Sequence, residues 1–525
     1  MKTWWEQIKT WPILQGWRPY LVIVVVGFLL YSHTLFFDFT YFDDSTLILD
    51  KVAVLSNIHN IGYIFTSDVF LSSPKFYYRP FLNLSFMLDA HLGGVLPFFY
   101  HLDNILLHCL AAGLVFYLLT KLIKKRPLAF FLSLIFLVHP VLVQAVAWVP
   151  GRNDSLLAIF GLAAFITFLS FLERPRLAAY LGYLFFLLAA LFTKETAVAL
   201  PLLVIFYFLF IDSGRTTRTD KWLMVGGSAV AGFIWFLMRH FALGGETTNY
   251  LSAGRDIIQN AGAVVMDIGK LVFPVNLSVL PVLEDSSRIF GWMVLFLLAF
   301  AWWRSRHIRY NYVIFGIVWF LLFLLPSFIR LNGLPDFLEH RLYLSLIGFL
   351  LVLAEFDWVK NWDFTKRSGK IAAAAILLIL AAITCWHSSS FSDRLTFWQE
   401  AAKDSPHSPL AQRNLGVMYY FIGDNAKAKN AYSRALQLNP QEPMAHNNLG
   451  VLYLEQKNWS AAEKEFTEEL TVNPGYDKAL LNLGDVYYHE NRWTDAGRLW
   501  TAALSVNPEY SDAYERLLIL QNRLR

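Results

Sequence analysis

Two adjacent carboxylates, Asp43 and Asp44 in "YFDDSTLILD", stand just past an apolar run from Leu21 to Phe37. Cations recur where later apolar runs begin or end. They are Arg79 in "YYRP", Arg152 beside Asp154 in "GRND", Lys194 beside Glu195 in "TKET", and His340 and Arg341 after Glu339 in "EHRLYL". Arg and Lys hold phosphate and stabilise it as a leaving group. A carboxylate takes the proton of an attacking hydroxyl. Together these groups suit transfer from a lipid-linked sugar phosphate at a membrane surface. Two neighbouring acids can divide the work, one as base and one orienting substrate, or share a divalent cation such as Mg or Mn. Each residue also has a plainer reading. Asp43 and Asp44 can cap the helix "STLIL". Arg152 can pair with Asp154, Lys194 with Glu195, and Arg341 with Glu339 or with backbone carbonyls. His59, His91, His101, His108 and His139 lack the spacing of a zinc helix and read as hydrogen-bonding core residues.

The elements that must position these groups are membrane helices. Of the 525 residues, 56% are hydrophobic and 16% charged, against about 25% charged in soluble chains. Hydropathy predicts about eleven spans between Leu21 and His387. The N-terminal segment is amphipathic and runs into a full-length span, so it is not a cleavable signal. Cys109 and Cys385 both lie in apolar runs and form no metal pattern. No charge run suits nucleic acid.

Basic residues cluster in alternate loops: Lys2, Lys9 and Arg18; Lys121 to Arg126; Arg174 and Arg176; Arg215 to Lys221; Arg304 to Arg309; Lys360 to Lys370. The positive-inside rule puts these loops, and the N-terminus, in the cytoplasm. The opposite loops hold Asp43, Asp44, Asp154, Glu195, Glu246, Asp336 and Glu339. The rule expects few cations there. Four segments that defy it on one face point to a shared anionic ligand. Two outer loops are long. The first contains "RPFLNLSFML", an expected interfacial helix. The second contains a Gly/Thr/Ser-rich stretch and then the helical pattern "DIIQNAGAVVMDIGKLVF".

After about residue 390 the composition changes, with 14 basic and 17 acidic residues in 391–525. "NLG" recurs at Asn414, Asn448 and Asn482, and "NP" at Asn439, Asn473 and Asn507, in steps of 34 residues. Small residues (Gly416, Gly450, Gly484) and aromatic ones (Tyr432, Phe466, Trp500) keep the same phase. This is the tetratricopeptide pattern. Three full repeats follow a leading half repeat, and "YERLLILQNRLR" forms a cap. Glu469 stands where a small residue is expected, which predicts looser local packing. Asn414, Asn448 and Asn482 lie on the first helix of each pair. Either they line an acceptor groove or they are ordinary solvated positions. The expected fold is therefore all-α: a polytopic helical membrane domain over 1–390, then a tetratricopeptide-repeat α-solenoid over 391–525.

The segments "YFDDSTLILD", "YYRPFLNLSFML", "FLVHPVLVQAVAWVPGRNDSLLAIF", "LFTKETAVALPLLVIFYFLF" and "EHRLYLSLIGFLL", in this order, resemble the transmembrane and tetratricopeptide-repeat-containing O-mannosyltransferases and their bacterial relatives. These belong to the GT-C superfamily of polyprenyl-phosphate-sugar-dependent glycosyltransferases. The resemblance spans nearly the whole chain. It implies that one of Asp43 and Asp44, here taken as Asp43, is the catalytic base. It matches Arg79, Arg152, Lys194 and Arg341 to the donor-phosphate site, with Asp154, Glu195, Glu339, His340 and Tyr343 supporting it. "EHRLYL" departs from the "ERYLYL" of many relatives at His340 and Leu342. The resemblance further implies inverting transfer, with mannose as the sugar, from a dolichyl or undecaprenyl phosphate to a Ser/Thr hydroxyl of an exported protein. The active-site loops and repeats would then be extracytoplasmic. Two other classes compete. A lipid-linked saccharide flippase would also need phosphate-binding cations, but the membrane halves show no internal symmetry. A repeat-bearing scaffold would need only an anchor.

Overall fold

The computed structural model describes residues 12–71, 75–212, 214, 216–244, 253–328 and 338–524. Lys2, Lys9, Arg215, Glu246, Asp336 and most of the Gly/Thr/Ser-rich stretch lie outside them. Every regular element among the described residues is helical. The chain forms two compact units, Met1–Phe397 and Trp398–Arg525.

We number the principal helices of the first unit as follows: α1 Arg18–Tyr31, α2 Asp43–Leu47, α3 Pro80–Gly93, α4 Pro97–Ile123, α5 Arg126–Val138, α6 Arg152–Glu173, α7 Leu177–Thr193, α8 Ala199–Phe210, α9 Arg218–Ala242, α10 Gly262–Val272, α11 Ile289–Arg304, α12 Tyr310–Leu324, α13 Leu342–Leu353 and α14 Arg367–Ser388. Five stretches are long and apolar enough to cross a bilayer: Arg18–Phe36, Pro97–Ile123, Val149–Glu173, Arg218–Ala242 and Arg367–Phe391. A sixth is α5 continued by Pro140–Ala147 across a 52° bend. Pro140 supplies no N–H at that break. Four further apolar helices have 10–17 residues, and α13 has 12. A 17-residue helix rises only about 25 Å, short of a ~30 Å hydrocarbon core. The expected spans thus divide into long, broken and short helices. The breaks are where the charged motifs lie.

Packing between helices relies on small residues, as lipid-embedded helices require. At the crossing of α12 and α13, a Cβ on Gly348 would stand 2.5 Å from the carbonyl oxygen of Gly316. At the same crossing Trp319 Nε1 donates to the Leu344 carbonyl at 3.0 Å. This fixes the helix that follows the 339–341 turn. The expected interfacial segment forms α3, whose Leu82, Phe86, Met87 and Ala90 join a core with Phe39, Leu47 and Tyr100.

The basic loops gather at one end of the bundle. There Lys121 pairs with Glu173 at 2.9 Å, and Lys125 Nζ donates to the Lys360 carbonyl at 2.7 Å. Arg309 Nε and Lys360 Nζ meet the buried carboxylate of Glu355 at 3.0 and 3.2 Å.

The second unit stacks helix pairs: α15 Pro409–Phe421 with α16 Asn425–Leu438, α17 Ala445–Glu455 with α18 Trp459–Val472, and α19 Asp477–His489 with α20 Trp493–Val506, closed by α21 Ser511–Leu524. In each pair the aromatic side chain of the second helix lies on the glycine of the first. A Cβ on Gly416, Gly450 or Gly484 would stand 2.5–2.7 Å from the ring of Tyr432, Phe466 or Trp500. Glu469 does not loosen its repeat. It is fully buried, and its carboxylate accepts from the backbone N–H of Met444 at 2.8 Å and Asn447 at 3.1 Å. It therefore caps α17, whose preceding residue Met444 sits in the left-handed region at φ 68°. Trp500→Ala should destabilise the repeats by about 3–5 kcal/mol, read as a lowered thermal transition of that unit in the full chain.

Candidate active site

The site is assembled where helices start or stop. Asp43 and Asp44 form the first turn of α2. The chain enters through Tyr41, a non-glycine residue at φ 55°, a strained entry that recurs at functional turns. Phe42 is anchored by stacking on Trp148 at 5.8 Å. The two acids have different surroundings. Asp44 is buried, and its Oδ2 accepts from both the backbone N–H and the hydroxyl of Thr40. It is a clasp that closes the turn. Asp43 is only half-buried, and no hydrogen bond to its carboxylate occurs among the described residues. Burial, reinforced by the Asp44 charge and opposed by Arg79, raises the Asp43 carboxyl to about 7. Burial raises Asp44 to about 6 against the hydrogen bonds from Thr40.

Arg79 acts on Asp43, and Lys194 and Arg341 gather with Arg79 around Asp154. Arg79 precedes α3 and grips Glu195 Oε2 through Nε at 3.0 Å and Nη2 at 2.9 Å. Its guanidinium lies 4.4 Å from the Tyr77 ring centroid. Lys194 sits at the break after α7, in extended backbone. Its ammonium meets Asp154 Oδ1 at 2.7 Å and Asn153 Oδ1 at 3.2 Å. Arg341, at the entry to α13, is within electrostatic reach of Arg79, Asp154 and Tyr77. His340 Nε2 lies 3.7 Å from Asp154 Oδ2, and its ring is 5.9 Å from that of Trp148. Several buried polar atoms here have no hydrogen-bond partner among the described residues: Asp44 Oδ1, Trp148 Nε1, Asp154 Oδ2, Glu195 Oε1 and His340 Nδ1. Unsatisfied buried groups are rare in native proteins. Their concentration here suits a polar ligand.

Three residues expected at the site point elsewhere. Arg152 is completely buried. It pairs with Asp89 at 2.6 Å and Asp103 at 3.3 Å, and donates to Asn104 Oδ1 at 2.7 Å and the Tyr100 carbonyl at 2.8 Å. Its guanidinium is consumed in tying α6 to α3 and α4. Arg152→Met should leave the buried Asp89 carboxylate and the half-buried Asp103 uncompensated and cost about 3–5 kcal/mol, measured as a lowered unfolding temperature in detergent. Tyr343 is also fully buried, with its hydroxyl 2.6 Å from His108 Nδ1. Glu339 pairs with Lys270 at 2.7 Å rather than facing the other cations.

Sequence reading overlooked Tyr77, Trp148, Asp267 and Lys270. Trp148, four residues before Arg152, reads as one more apolar residue. Asp267 and Lys270 are one turn apart on α10, a spacing that does signal a shared face. Asp267 is buried, and burial raises it to about 7 against the pull of Lys270.

A divalent cation at the Asp43–Asp44 pair would have only these two carboxylates to rely on among the described residues. One carboxylate is clasped by Thr40, and a guanidinium acts on the other. Magnesium needs oxygen ligands in a near-octahedral set.

In the repeat unit, Asn414, Asn448 and Asn482 are all half-exposed. Asn482 Nδ2 donates to Asn447 Oδ1 of the preceding repeat at 2.9 Å, and Asn448 Oδ1 accepts from Asn447 Nδ2 at 3.4 Å.

The tetratricopeptide-repeat family model matches residues 419–477 and 458–514. The chain is 35% identical over 159 residues to the protein O-mannosyl-transferase TMTC1 of Mus musculus, covering 27% of this chain and 16% of that protein. It is 25% identical over 452 residues to the protein O-mannosyl-transferase F38B6.6 of Caenorhabditis elegans, covering 81% of this chain and 63% of that protein. It is 33% identical over 183 residues to the protein O-mannosyl-transferase Tmtc1 of Drosophila melanogaster, covering 34% and 21%. The chain therefore spans less than two thirds of the curated relatives it matches.

Proposed function

We propose that this chain, which belongs to the TMTC-like family of tetratricopeptide-repeat-containing O-mannosyl-transferases, is an integral membrane glycosyltransferase of the GT-C type. It moves a sugar, mannose in this reading, from a polyprenyl phosphate to a Ser or Thr hydroxyl of an exported protein engaged by the repeats. The observation that carries the reading is a half-exposed carboxylate, Asp43, without a hydrogen-bond partner among the described residues and acted on by Arg79, which groups with Lys194 and Arg341.

In the proposed step the acceptor hydroxyl gives its proton to Asp43 as its oxygen bonds to the sugar C1. The bond from C1 to the phosphate oxygen breaks, and its electron pair leaves with the polyprenyl phosphate. Attack from the opposite face inverts the anomeric centre. Arg79, Lys194 and Arg341 hold the phosphate and stabilise its growing charge. Asp44 holds Asp43 in place through the Thr40 clasp. Glu195 and Asp154 orient Arg79 and Lys194. Arg152, Glu339 and Tyr343 support the frame. Asn414, Asn448 and Asn482 offer amides to a peptide acceptor. The end of the bundle rich in Lys and Arg is assigned to the cytoplasm, so the site and repeats are extracytoplasmic.

The direct test uses the purified full chain in proteoliposomes, labelled polyprenyl-phosphate sugars and Ser/Thr peptides. Labelled peptide with inverted anomeric configuration is the expected product. Release of free sugar alone, or no turnover with any donor, would refute the reading.

A further inference from the structure

The turn 339–341 presents His340 and Arg341 to the site, yet nothing within so short a turn explains what holds it. The grip comes from a buried polar network. Glu339 Oε1 accepts from Lys270 Nζ at 2.7 Å and from the backbone N–H of Ser278 at 2.9 Å. Its other oxygen, Oε2, faces His387 Nε2 of α14 at 3.4 Å. Gln144, in the break after α5, spans the same region. Its Nε2 donates to the Val279 carbonyl at 3.1 Å, and its Oε1 receives the His340 backbone N–H at 3.4 Å. His139 ties the same break to α10 through the Leu271 carbonyl at 3.0 Å. Glu339, Lys270, His387, Gln144 and His139 are all at most 5% exposed. A charge pair this deep costs desolvation, and apolar side chains of similar volume would often be as stable. A precise placement of the turn is a physical reason to keep it.

We propose that Lys270 is a positioning residue for the donor phosphate: through its ion pair with Glu339 it fixes the turn that carries His340 and Arg341. Lys270 touches no reacting atom and acts through that turn. The inference rests on the phosphate-site reading above, but not on the identity of the sugar or acceptor. It gives the second outer loop a task, since α10 from that loop supplies the lysine.

The test measures binding of undecaprenyl phosphate to the full chain in nanodiscs, apart from any turnover. Lys270→Met and Glu339→Gln should each weaken binding by roughly tenfold to a hundredfold, the scale of a phosphate cation moved by about 1 Å. The double variant should lose less than the product of the two single losses, because the two substitutions share the Lys270–Glu339 contact. The apolar pair Lys270→Met/Glu339→Leu should recover thermal stability without recovering affinity. If affinity returns with stability, the pair is only structural and the proposal fails. It fails equally if the single variants bind as tightly as the parent chain, if their effects add, or if the parent chain does not bind. A parent chain that binds as expected but transfers no sugar would refute the enzymatic reading and leave the positioning role standing.

Discussion

Asp43→Asn should reduce sugar transfer by roughly 10²–10⁴-fold, the usual contribution of a positioned general base, while binding of polyprenyl phosphate stays intact. The substitution keeps the shape and removes the proton acceptor. The half-exposed carboxylate has no hydrogen-bond partner among the described residues to lose, so the fold should tolerate the change. The pH profile gives a second readout. The base must be ionised, so kcat/KM should fall as pH drops through about 7, the value to which burial and Asp44 raise Asp43. Asp44→Asn removes a negative neighbour while keeping an oxygen for Thr40. It should shift this acidic limb to lower pH and retain most of the activity at high pH. Arg79 opposes the rise, so Arg79→Met should move the limb to higher pH. Full activity of Asp43→Asn, or a limb indifferent to both neighbours, would remove Asp43 from the mechanism.

Arg341→Met should cost on the order of 10²–10³-fold in kcat, as expected when one donor to a developing oxyanion is lost. Inhibition by free polyprenyl phosphate should weaken in parallel, because that product presents the same anion. Arg341→Lys should recover only part of the loss. Lysine keeps the charge but not the planar fork that meets two phosphate oxygens. Lys194→Met is a less clean experiment, since it also strips Asp154 of its closest cation. Product inhibition that is unchanged in Arg341→Met would place the phosphate away from the 339–341 turn.

The repeat unit was legible in the sequence because its period is local. Gly416, Gly450 and Gly484 pack on Tyr432, Phe466 and Trp500, and each contact lies within one 34-residue unit. The helical membrane character was equally legible, since apolar runs report the solvent around them. The exact spans were not. Hydropathy cannot see that Pro140 bends one run by 52° or that others stop short.

Charge motifs were visible as residues but not as partners. "GRND" invites pairing of Arg152 with Asp154, yet Arg152 reaches back to Asp89 and Asp103, and Asp154 receives Lys194. Glu339 is two residues from Arg341 and is held by Lys270, 69 positions earlier. A buried charge takes whichever countercharge the packing brings near, and sequence distance does not enter that energy. Amino-acid order alone determined that acids and cations would collect at helix breaks in a membrane protein with a repeat tail. Only the tertiary structure decided which of them are consumed in holding the helices together and which face a site.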